Sequence, residues 1–125
     1  MASKTIHFGH ALYKVSQLDE AKAFYSKAFE VETYFDEPTW VVFEIGDYQL
    51  WLVPADSTEE HPEVYGVVGK PSGITYWQVK NIDAVCQRFT DLGGSVRKTK
   101  KNQGPFMEAI VDDPWGNRLG LARPF

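Results

Sequence analysis

Val15-Ser16-Gln17-Leu18-Asp19-Glu20-Ala21-Lys22-Ala23-Phe24-Tyr25 and Val79-Lys80-Asn81-Ile82-Asp83-Ala84-Val85-Cys86-Gln87-Arg88-Phe89 are two versions of one pattern, offset by 64 positions. Val15 falls on Val79, Leu18 on Ile82, Asp19 on Asp83 and Tyr25 on Phe89. Further on, Leu50-Trp51-Leu52 matches Leu119-Gly120-Leu121, each on the second arm of a hairpin. The first hairpin turns at Gly46-Asp47 and the second at Asp113-Pro114-Trp115-Gly116-Asn117. A repeat of this length means a duplicated supersecondary unit.

Each unit reads strand, helix, strand, strand, strand. Unit one covers about 5–54 and unit two about 73–123, within a single domain. In unit one a strand from Ile6 to Val15 leads to a helix over Leu18–Phe29, apolar at Leu18, Ala21, Phe24, Tyr25, Ala28 and Phe29. A short strand follows near Val31–Tyr34, then the hairpin Trp40–Val53. In unit two the strand is Ile74–Val79, Asn81 caps a helix, and Gly93-Gly94 end it. Val96 marks a short strand, and Phe106–Asp112 with Asn117–Ala122 form the last hairpin. The linker 55–72, acidic at Glu59-Glu60 and holding Pro62 and Pro71, reads as a surface loop, with an arm or lid as the alternative.

The strands have two chemically different faces. With Gly46-Asp47 as a two-residue turn, Val41, Phe43, Ile45, Tyr48, Leu50 and Leu52 share a face suited to the helix. Trp40, Val42, Glu44, Gln49, Trp51 and Val53 share the other. Tryptophans beside a carboxylate and an amide suit the wall of a half-wet cavity rather than core. By the same alternation His10, Leu12 and Lys14 face that side in unit one. In unit two Ile74, Tyr76, Gln78, Arg118, Gly120 and Ala122 do so.

Composition narrows the class. The chain has 125 residues, 43% hydrophobic and 24% charged, the proportions of an ordinary globule. A net charge of −4 argues against a nucleic-acid partner, and the run Arg97-Lys98-Thr99-Lys100-Lys101 is too short to reverse that. Cys86 has no second cysteine to bond, no segment is long and apolar enough to span a membrane, and MASKTIHFGHA lacks an apolar signal core. A cytoplasmic protein without membrane partners is expected.

The pattern Val15-x-x-Leu18-x-x-Ala21-x-x-Phe24-Tyr25, together with Asp113-Pro114-x-Gly116-Asn117, resembles the vicinal-oxygen-chelate superfamily of glyoxalase I, bleomycin-resistance proteins and extradiol dioxygenases. The resemblance implies an α+β fold in which two βαβββ units form a cupped mixed sheet with helices on the outer face, assembled as a homodimer. In the superfamily's enzymes a divalent metal is held by one residue on the first and one on the last strand of each unit. Here those positions carry His10, Trp51, Ile74 and Gly120. Only one is a ligand type, where such a site takes three or four imidazole or carboxylate donors. No metal or other cofactor is therefore expected.

Three functional readings follow. The leading one is a small-molecule binder that takes an aromatic or amphipathic ligand, with Trp40 and Trp51 stacking on it and Tyr76 helping. Trp51 merely plugging the vacated metal position is the alternative. Glu44, Gln49, Gln78 and Lys14 add polar contacts, Lys14 at the place where glyoxalase I has a basic residue for its thiol substrate. Glu108 and Arg118 are further ligand-binding candidates expected to pair across the hairpin, the pair being either structural or a way of presenting Arg118 to an anionic ligand. The second reading is a lyase, isomerase or dioxygenase-like enzyme that uses His10 as base with a cavity carboxylate; a histidine merely bonded to a neighbouring side chain is the other view of His10. The third is a metal enzyme with a rearranged site of His10 with Glu44, Glu108 or His7. His7 and His61 otherwise read as surface residues, and Cys86 as packing.

Overall fold

The computed structural model describes residues 9–55, 74–103 and 106–124. Ile6, His7, His61 and, except for Ala55, the linker 55–72 lie outside the described residues. The elements of the first unit are β1 (Gly9–Val15), α1 (Leu18–Ala28), β2 (Thr33–Glu37), β3 (Trp40–Ile45) and β4 (Tyr48–Pro54). Those of the second are β5 (Thr75–Gln78), α2 (Ile82–Asp91), β6 (Ser95–Gln103), β7 (Phe106–Asp112) and β8 (Arg118–Pro124). The chain divides into two compact units along this line. Each is a four-stranded mixed sheet with the same connectivity, β1-β4-β3-β2 in one and β5-β8-β7-β6 in the other. In each, the first strand runs parallel to the last and the other pairings are antiparallel. This is the duplicated α+β architecture implied by the repeat.

The helices form where the apolar spacing puts them. On α1, Ala21, Phe24, Tyr25 and Ala28 are buried; on α2, Ile82, Val85 and Phe89 are. They meet the alternating apolar residues of their own sheets: Ala11, Tyr13, Val15, Val41, Phe43, Leu50 and Leu52 in unit one, Trp77, Ala109, Val111, Leu119 and Leu121 in unit two, all buried. Each such large side chain contributes about 1.5–3 kcal/mol by leaving water. The rings of Tyr13 and Tyr25 stack at 6.0 Å and bind sheet to helix in unit one. Asn81 caps α2, its Oδ1 accepting from the backbone N–H of Ala84 at 3.0 Å. Both helices end in the same motif. Val31 N–H donates to Ser26 O and Gly94 N–H to Phe89 O, around a left-handed residue that is Glu30 in one unit and Gly93 in the other.

The second hairpin turns on one side chain. Asp113 is buried, and its Oδ1 accepts from the backbone N–H groups of Trp115 and Asn117, both at 2.9 Å. Its Oδ2 accepts from Asn117 Nδ2 at 3.0 Å. Asp113-Pro114-x-Gly116-Asn117 is thus a turn closed by a carboxylate on donors that would otherwise be orphaned.

Two local expectations are corrected. The strand placed near Val31–Tyr34 begins at Thr33 and runs to Glu37, because the helix-ending motif consumes Glu30 and Val31. The short strand marked by Val96 is nine residues long, Ser95–Gln103. The basic run Arg97–Lys101 therefore lies on an edge strand, where charge discourages pairing with another sheet.

Candidate functional site

In each unit the sheet face opposite the helix carries the chemistry. Register fixes its rows in unit one. His10 sits beside Gln49, which sits opposite Glu44. Leu12 sits beside Trp51, which sits opposite Val42, and Val42 opposite Phe35. Lys14 sits beside Val53. All of the residues expected on this face are on it.

Aromatic rings run across the middle of the face. The His10 imidazole stacks on the Trp51 indole, with centroids 3.7 Å apart and planes at 13°. Trp51 meets Trp40 edge to face at 4.9 Å, and Trp40 meets Phe35 at 4.7 Å. Four strands thus supply one continuous aromatic surface: β1, β4, β3 and β2. Trp51 Nε1 donates to Gln49 Oε1 at 2.9 Å, which fixes the indole's orientation and ties Gln49 to it. Trp40 Nε1 is buried and has no hydrogen-bond partner among the described residues. His10 and Glu44 are exposed and Trp51 is half-buried, whereas Lys14 is only 6% exposed. Phe35 was invisible to alternation because the β2–β3 register slips between Thr33 and Phe35.

Unit two is built differently on the same frame. Tyr76 sits beside Gly120, and Gly120 opposite Ile110. The Tyr76 ring lies flat over Gly120: a Cβ built on that glycine would fall 2.6 Å from Tyr76 Cγ and nearer still to its Cδ2. No side chain fits at 120 while the ring is there. Gln78 sits beside Ala122 and is exposed.

The expected Glu108–Arg118 pair does not form. Glu108 sits opposite Ala122, and Arg118 opposite Asp112, so the two are four residues apart along the hairpin ladder. Arg118 Nε instead donates to Asp112 Oδ1 at 3.0 Å, and Arg97 Nε donates to Asp112 Oδ2 at 2.9 Å. Glu108 has Lys98 Nζ at 3.9 Å. Lys101, opposite Glu108, has its amine held below the ordinary lysine value by a hydrogen bond with Lys98 and repulsion from its charge. The contact between Arg97 and Asp112 was missed because the strand marked by Val96 was expected to be short, so Arg97 was given no row beside β7.

The four positions at which the superfamily's enzymes hold metal are thus a stacked imidazole, an indole, the exposed Ile74 and a ring-covered glycine. Among the described residues no three His, Cys, Asp or Glu side chains cluster as metal ligands would. Of the four side chains at those positions, the His10 imidazole alone offers a donor atom to a cation.

The profile of the Glyoxalase/Bleomycin resistance protein/Dioxygenase superfamily matches residues 7–121. The chain belongs to this superfamily. Similar solved structures include TnmS3, an antibiotic-binding protein from Streptomyces sp. CB03234, at 25% identity and TM-score 0.70, with 100% of this chain and 99% of that one covered. A glyoxalase-related enzyme from Fulvimarina pelagi gives TM-score 0.74 at 16% identity over 92% and 86% of the two chains. Lactoylglutathione lyase from Agrobacterium tumefaciens gives 0.65 at 20% over 91% and 90%. A search of curated proteins by sequence gave no match. No helix among the described residues of this superfamily member is long and apolar enough to cross a membrane.

Proposed function

We propose that this superfamily member binds a small, flat aromatic or amphipathic molecule on the aromatic face of its first unit, without a metal. One observation carries the reading: Trp51 occupies a metal-ligand position and is held there, stacked on His10, edge-on to Trp40 and bonded to Gln49. An indole fixed this way offers its ring system to a planar ligand at low entropic cost, and such stacking adds about 0.5–1.5 kcal/mol beyond area burial. The likeness to TnmS3, an antibiotic-binding protein, supports a binder. Tryptophan fluorescence tests it. Acridine should quench the emission saturably, and Trp51→Ala should weaken that binding at least tenfold. Quenching that is unchanged in Trp51→Ala would sink the reading.

The second reading is metal-free acid–base catalysis by His10, which its exposure favours. Against it, no side chain among the described residues hydrogen-bonds the imidazole to set its tautomer, as a working base requires. His10→Ala should abolish any turnover found; turnover that survives removes His10 as the base. Homodimerisation, supported by the family resemblance alone, is part of the proposal and is read by light scattering.

A further inference from the structure

The helix-free face of unit two carries a second feature, built from residues of β6, β7 and β8. Asp112 is only 17% exposed and accepts one Nε–H from each of two arginines, Arg97 on β6 and Arg118 on β8. Each guanidinium spends its inner donor on this carboxylate. Among the described residues nothing accepts from the Nη groups of either arginine. The two forks are thus oriented by a shared carboxylate and, among the described residues, left open, with an excess of one positive charge. Lys98 and Lys101, with only Glu108 between them, add a second excess on the neighbouring rows. This face is cationic in a chain whose net charge is −4.

We infer that Arg97 and Arg118, splayed on Asp112, clamp the carboxylate of an aromatic acid whose ring lies toward Tyr76 and Ile74. The forks match a carboxylate in a way a lysine cannot, because the planar guanidinium presents paired N–H groups. Arg118 precedes Gly120 by two residues on β8 and so shares its face, and Tyr76 lies over Gly120. Tyr76 and Ile74 are 46% and 42% exposed, an apolar surface beside the clamp. The competing view is a purely structural triad stapling β6, β7 and β8. Half-exposed ion pairs contribute only about 0–1 kcal/mol, which leaves two ordered, long side chains poorly explained by stability alone.

The experiment follows the arginine Nε–Hε resonances in 1H–15N NMR during titration with 2-naphthoate, methyl 2-naphthoate and inorganic phosphate at low salt. The naphthoate should shift both arginines and bind about tenfold tighter than its ester, the gain expected of a charge-assisted fork. Arg97→Gln and Arg118→Gln should each remove most of that preference and leave ester binding unchanged. Arg118→Lys, which keeps the charge and loses the fork, should recover only part of it. Phosphate should perturb the same resonances more weakly. Circular dichroism establishes that each variant is folded. Equal binding of acid and ester, no shift at either arginine, a preference that survives both glutamine variants, phosphate binding as tightly as naphthoate, or displacement of naphthoate by duplex DNA would each overturn the assignment. The readout sits at two arginines of unit two, so it is separate from the tryptophan emission that tests unit one.

Discussion

The two units share connectivity and helix-ending motif, yet they fill equivalent positions by opposite means. In unit one the pair at the centre of the helix-free face is Leu12 on the first strand and Trp51 on the last. In unit two it is Tyr76 on the first strand and Gly120 on the last. One large ring per unit occupies the place, contributed from opposite strands. A duplicated frame thus specifies where a ring goes and leaves open which strand supplies it. The difference also sets two chemistries apart. The ring of unit one lies among other rings, and the ring of unit two lies beside charged residues.

The turns differ in the same spirit. Unit one closes its hairpin with two residues, whereas unit two relies on the buried Asp113. Asp113→Ala should lower unfolding free energy by about 3 kcal/mol, since it strands three donors, while Asp47→Ala in the exposed first turn should cost under about 0.5 kcal/mol. Chemical denaturation of both variants reads this, and equal losses would erase the distinction.

Next in size is the ring–glycine pair. Gly120→Ala should cost about 2 kcal/mol by driving the new methyl into the Tyr76 ring. In a Tyr76→Ala background the same change should cost less than about 0.5 kcal/mol. A double-mutant cycle without coupling would mean that the ring is not seated on the glycine.

The helix ends sharpen the comparison further. Glu30 adopts φ 54 where unit two has Gly93 at φ 101. Glu30→Gly should stabilise by about 1 kcal/mol and Gly93→Ala destabilise by a similar amount, measured by thermal unfolding. The smallest effect is electrostatic. Lys101 should titrate below the ordinary lysine value because Lys98 disfavours its charged form, and Lys98→Gln should move it upward. NMR of the lysine Cε–Hε groups follows this; an unmoved Lys101 would show that the two amines do not interact.

Much of this was legible in the sequence for physical reasons. The helical spacing from Leu18 and Ile82, the cap at Asn81 and the stop at Gly93-Gly94 are local signals, and each maps onto the structure. The face assignments of β3 and β4 followed from one two-residue turn, because period-two alternation propagates from it. Register irregularities were not legible. A slip in β2 brought Phe35 to Trp40. The nine-residue length of β6, which lays Arg97 alongside Asp112, was not legible either. The Glu108–Arg118 pair failed because being on adjacent strands does not make two residues opposite. That Tyr76 covers Gly120 is a contact between strands distant in sequence, which alternation alone could not specify.

On the proposed function, the aromatic face of unit one binds a planar molecule without a metal. The most direct test is calorimetric titration of acridine into chelator-treated protein, repeated after adding stoichiometric Zn2+ or Ni2+. Saturable binding with the same affinity is expected in all cases. Binding that appears only once metal is restored would contradict it.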